Sequence, residues 1–172
     1  MPLFRHFFPG LVLPVLAGLL LSLSVAAYEP SPTERASADR VFHLYVNSLR
    51  EADYSTAYQL HSEALQSAQD IASWRAGEAQ FAEQAGLNTG YSEPRVSWHL
   101  DPEKAPAPGF YVRYEYQCQH AHLNPCRAEL TLFSPMAETF SVIRFSRSYV
   151  NTRTGKRSGA FVRIPGEHSA IR

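Results

Sequence analysis

Apolar residues recur at three- and four-residue spacing over the first half of the chain and at two-residue spacing over most of the second. The segment "SPTE" has the makings of a helix start. Ser31 can cap, Pro32 suits the first helical position, and Glu34 can close a capping box. Ala38, Val41, Phe42, Tyr45 and Leu49 then share one face, while Arg40, Asn47, Arg50 and Glu51 fall largely off it. Asp53 is a second cap. It opens a helix from Tyr54 to Gln66 with Tyr54, Ala57, Tyr58, Leu60, Ala64 and Leu65 inward. Asp70 opens a third helix, with Ile71, Trp74, Phe81 and Ala85 inward and Gly86 as its stop.

After Gly90 the period changes. "EPRVSWHLD" sets Val96, Trp98 and Leu100 against Arg95, Ser97 and His99. "GFYVRYEYQC" sets Phe110, Val112, Tyr114, Tyr116 and Cys118 against Tyr111, Arg113, Glu115 and Gln117. "CRAELTLF" sets Cys126, Ala128, Leu130 and Leu132 against Arg127, Glu129 and Thr131, and a fourth run with a mixed pattern starts at Thr139. Period-two runs separated by Pro, Gly and Asn turns predict an antiparallel meander with one buried face. The expected fold class is α+β: three N-terminal helices packed on a curved antiparallel sheet of about four strands. Beyond Val150 one short apolar run, Ala160 to Ile164, can add an edge strand or stay loose.

The 172 residues, 45% hydrophobic and 19% charged, leave room for one core. The N-terminus stands apart from it. Arg5 and His6, the apolar run Leu11 to Val25 and the small residues of "VAA" are the parts of a secretory signal cut after Ala27. A retained membrane anchor is the rival reading; Pro9, Pro14 and the cleavage site argue against it. The division is then a signal over 1–27, a domain over 28–150 and a basic tail over 151–172. The expected location is secreted and periplasmic, where disulfides persist. Charge is unevenly spread: Arg144 to Arg172 carries seven Lys or Arg against Glu167 alone, and 28–143 carries eight basic and fifteen acidic residues. The basic tail either folds back on its acidic body or touches an anionic surface such as lipid headgroups. Export makes nucleic acid an unsuitable partner.

The order "LREADYSTAYQLHSEAL", "SWRAGEAQFAEQAGLNTGYSEPRV", "PGFYVRYEYQC" and "AELTLF" resembles the DUF4019 family, small secreted bacterial proteins of unknown function. The residues that carry it are Asp53, Tyr54, Tyr58, Trp74, Arg95 and the "PGFYV" run, within about Ala38 to Val150. The resemblance implies an NTF2-like, cystatin-like cone and no activity. The chain departs from the family's Gly-x-Trp turn, reading "AETFSV" instead.

Candidate chemistry is sparse. Cys118 and Cys126, the only cysteines, end one strand and begin the next, in phase with each strand's apolar set. A hairpin with the loop "QHAHLNP" opposes the two sulfurs, which suits a disulfide. Such a loop adds about 2.5 kcal/mol of chain-entropy stabilisation. A metal clip through Cys118, His120, His122 and Cys126 is the competing reading, and His120 with His122 can bind a metal even with the disulfide made. A free or switchable thiol pair is the third. Tyr45, Tyr58, Trp74, Trp98, Tyr114 and Tyr116 are expected to face the interior, where they either fill the core or line a ligand pocket. His43 and His61 sit on helices, His43 next to the apolar stripe, while His99 and Glu115 fall on the polar faces of their strands; no acid is aimed inward and no catalytic or cofactor motif occurs. No cofactor and no catalytic residue follow from the sequence. The expected function is a non-catalytic envelope module that binds a small ligand or a protein partner. The alternatives are a small cone-pocket enzyme and metal binding through His120 and His122.

Overall fold

The computed structural model describes residues 28–163, with side chains through 159. The signal segment and Ala27 lie outside the described residues. Helix α1 spans Pro32–Arg50, and Ser31 and Glu34 close the capping box. Helix α2 spans Tyr54–Gln59 under the Asp53 cap, α3 spans Glu63–Ala68, and α4 spans Ile71–Ala85 under the Asp70 cap. Gly86 ends α4 at a φ of 72°, a left-handed conformation that glycine adopts without strain.

The helix expected over Tyr54 to Gln66 is therefore two, and the expected three helices are four among the described residues. The break has a local cause. Val142 of the sheet donates its N–H to the Leu60 carbonyl and accepts from the Ser62 N–H, both at 2.8 Å. Those bonds hold His61 against the sheet and Ser62 in an extended conformation, and the Ser62 hydroxyl then caps α3 at the Leu65 N–H.

The strands are β1 Asn88–Tyr91, β2 Arg95–Leu100, β3 Phe110–His120, β4 Leu123–Ser134, β5 Ser141–Asn151 and β6 Arg157–Arg163. All pair antiparallel in one sheet of order β1-β3-β4-β5-β6, with β2 also on β3. Six strands thus replace the expected four. β1 and β2 are successive segments of one edge: β2 lies along Phe110 to Glu115 and β1 along Cys118 to His120. The tail's short apolar run supplies β6, which pairs with β5 from Arg144 to Val150.

The helices bury one face of this sheet. Ala38, Phe42 and Tyr45 of α1 are fully buried against Val112, Tyr114, Leu130, Leu132, Val142 and Phe145. Phe42 stacks on Tyr114 with ring centroids 4.4 Å apart, and the Tyr114 hydroxyl donates to Asp39 at 2.8 Å. Several inward assignments change. Val96 and Leu100 are exposed because β2 is an edge segment, and Ile71 is exposed at the first turn of α4. Tyr111, placed by alternation on the polar face, is buried there. The loop between β2 and β3 covers it, Phe133 packs on its ring, and its hydroxyl donates to the Ala107 carbonyl at 2.7 Å. The mixed pattern of the fourth run is a bulge: Thr131 faces Arg144 and Leu132 faces Val142, so Ile143 is the extra residue.

Candidate functional site

Four residues of α4 form its buried stripe at spacings of four, three and four: Trp74, Glu78, Phe81 and Ala85. One of them is an acid. On β5, alternation turns Phe145 and Arg147 toward the helices, and Arg147 is buried as well. The two charges meet across the helix–sheet interface. Arg147 donates from Nη2 to Glu78 Oε1 at 2.6 Å and Oε2 at 2.7 Å, with the two side chains only 8% and 7% exposed. The guanidinium carbon lies 3.6 Å from the Phe81 ring centroid and 4.9 Å from that of Phe145. Pairing and the two ring faces together offset the cost of burying these charges. Arg147 Nε is buried with no hydrogen-bond partner among the described residues.

Beside this pair lies a cavity of about 230 Å³. Val46 and Leu49 of α1, Phe81 of α4, Tyr91 of β1, Tyr116 and His120 of β3 and Phe145 of β5 line it together with the ion pair. Burial raises the Tyr116 hydroxyl above the ordinary tyrosine range, keeping it a neutral O–H donor. Burial also lowers the His120 imidazole and Arg147 lowers it further, while a hydrogen bond to the Gly86 backbone opposes both. His120 is therefore neutral near pH 7. Its ring stands edge-on to Phe81 at 5.3 Å, and its Nδ1 is buried without a partner among the described residues.

The six aromatics expected around a pocket are spread through the molecule. Tyr116 lines the cavity. Tyr45, Trp74 and Tyr114 are buried in the main core. Trp98 sits at the other end with Tyr28 and Phe140, and the Tyr58 hydroxyl donates to the carbonyls of Gln66 and Gln69. Cys118 and Cys126 are joined with their Cα atoms 5.1 Å apart, and Cys118 also lines the cavity. A ligating nitrogen of His120 lies within 4.8 Å of both sulfurs, but sulfurs bonded to each other are not thiolate ligands. His122 lies apart from that group, with its ring against Gly86.

A second buried polar contact joins Tyr45 and His61, with His61 Nε2 3.2 Å from the Tyr45 hydroxyl. The His61 ring stands edge-on to Trp74 at 4.9 Å, and desolvation lowers its pKa to about 4. It is walled in by the rings of Tyr45, Tyr58 and Trp74. Glu78 is the inward acid that the sequence reading lacked. Its signal was present: residue 78 completes the 74, 81, 85 stripe. A charge there needs a partner, and Arg147 holds an inward position of β5. Both Glu78 oxygens accept from Arg147, so the carboxylate is engaged as an anchor between α4 and β5. The comparisons add no relative to this geometry: no family model, no curated protein and no solved structure matches the chain.

Proposed function

We propose that this chain is a non-catalytic binding module of the cell envelope that takes a small ligand in the cavity beside Glu78 and Arg147. The observation that carries the reading is the pairing of a partly open cavity of about 230 Å³ with an acid already neutralised by its arginine. A carboxylate already engaged by an arginine supports binding over proton exchange at that group. Here the cavity's carboxylate is held at both oxygens. The export signal expected over 1–27 and the joined cysteines support an oxidising compartment. The helix layer on an antiparallel sheet supports extending the DUF4019 resemblance to an NTF2-like cone, with α2 and α3 together standing for its second helix.

A fragment screen by protein-detected NMR tests the reading. Fragments are expected to perturb Tyr91, Tyr116 and Phe81, and Ala128→Phe, which grows a ring from the cavity wall, is expected to abolish those perturbations. A folded protein that shows no fragment response at these residues would remove the reading. Fractionation of expressing cells tests the location: recovery in the cytoplasm with residues 1–27 attached would overturn it.

A further inference from the structure

The end of the β3–β4 hairpin carries a second constellation, built by strand geometry. Cys118 and His120 are two apart on β3 and turn to the same side, and Cys126 of β4 stands across from Cys118 with its Cα 5.1 Å away. One ring nitrogen of His120 and both sulfurs lie within 4.8 Å of one another. Metal bonds of about 2.0–2.3 Å place the donors of one centre within about 4.6 Å of each other. His122, the other histidine of this loop, is outside the group. All three donor residues border a surface depression of about 440 Å³, which opens the group to small solutes.

In the oxidised protein the two sulfurs are bonded to each other. A dithiol reductant opens that bond by thiol–disulfide exchange: its own two thiols become a disulfide, and the two electrons and two protons they give up leave Cys118 and Cys126 as thiols. The freed sulfurs move apart to non-bonded distance, the spacing that a shared metal needs. Two thiolates and one imidazole are a soft donor set. Around the sulfurs pack Phe81, Ala85, Leu123 and Tyr149, and no carboxylate joins the group among the described residues. Zn(II) takes four ligands. Cu(I) is softer, prefers sulfur and is stable with three.

We propose that Cys118, His120 and Cys126 form a redox-gated site for one Cu(I), closed while the disulfide stands and open once a dithiol reduces it. Binding makes two Cu–S bonds and one Cu–N bond, sends the two thiol protons to solvent and leaves copper as Cu(I). The test is an oxygen-free titration of the full chain with Cu(I) against a chromophoric Cu(I) chelator, on the oxidised protein and on protein reduced by a phosphine that is then removed. The reduced protein is expected to take up one equivalent and the oxidised protein none. X-ray absorption is expected to show two sulfurs and one nitrogen around copper. His120→Ala is expected to weaken Cu(I) binding by about tenfold or more, since even an outer-shell partner of a metal is worth that much, while His122→Ala leaves it unchanged. The imidazole nitrogen resonances of the unmodified reduced protein give a readout that needs no variant: those of His120 should shift on adding Cu(I), and those of His122 should not. Equal uptake by the oxidised protein would overturn the gate, and no uptake by the reduced protein would overturn the site. Sulfur-only coordination, or an unchanged affinity in His120→Ala, would overturn the three-ligand set, and displacement of Cu(I) by Zn(II) would overturn the metal.

Discussion

His61 shows what one residue does when a fold closes over it. Its ring is 5% exposed, edge-on to Trp74, and shares a hydrogen bond with Tyr45. Burial disfavours the charged imidazole, which lowers its pKa from 6.5 to about 4. The unfolded chain then takes up a proton near pH 6.5 that the folded chain refuses until about pH 4. Stability that is fully present above pH 6.5 is lost as pH falls through that window, by about 3 kcal/mol from His61. His99 and His120 are lowered by burial as well and add to the same slope. Urea midpoints measured from pH 7 to pH 4 should fall accordingly, and His61→Gln should flatten the profile. An equally steep profile in that variant would place the titration elsewhere.

At the scale of elements, two tie points hold neighbours together. Glu78 and Arg147 fasten α4 to β5. Removing one partner strands the other charge in the interior, so Glu78→Ala should lose about 3–5 kcal/mol in urea denaturation. Replacing both, as Glu78→Leu with Arg147→Met, should recover most of that loss, because a buried pair and an apolar pair of similar volume are close in stability. The Cys118–Cys126 bond fastens the β3–β4 hairpin. Cys118→Ser with Cys126→Ser should lower stability by about 2.5 kcal/mol, the loop-closure entropy returned to the unfolded chain. Equal stability with and without the bond would show that the hairpin register needs no staple. Elements were legible in the sequence where local chemistry decided them. The Ser31, Asp53 and Asp70 caps and the Gly86 stop stand where side chain and backbone require. The division between α2 and α3 was not legible, because it is made by Val142, some eighty residues away. Tyr111 follows the same logic, since the loop that buries it has no apolar period of its own.

At the scale of the whole molecule, an α+β chain with one covered sheet face was readable from the change of period after Gly90. The candidate site was not. It consists of a helix position and a strand position that each read as an exception, and only the packing of α4 on β5 brings them together. The sheet's last edge was also left open by the sequence. β6 pairs with β5 along Arg144 to Val150 and occupies hydrogen-bonding groups that would otherwise face solvent. A chain ending after Asn151 should therefore self-associate in sedimentation experiments as its concentration rises, while the full chain does not. A monomeric truncated chain would show that the β5 edge is protected by its own charged side chains. The position of Cys118 carries a last consequence, because this residue is both half of the disulfide and part of the cavity wall. Two equilibria that share a wall are linked, and linkage is reciprocal. If a closed bond shapes the cavity for a ligand, then that ligand must stabilise the bond. A saturating cavity ligand should shift the dithiothreitol equilibrium of Cys118–Cys126 toward the closed bond by the same factor that reduction weakens that ligand's binding. The redox balance of the disulfide would then report whether the cavity is full.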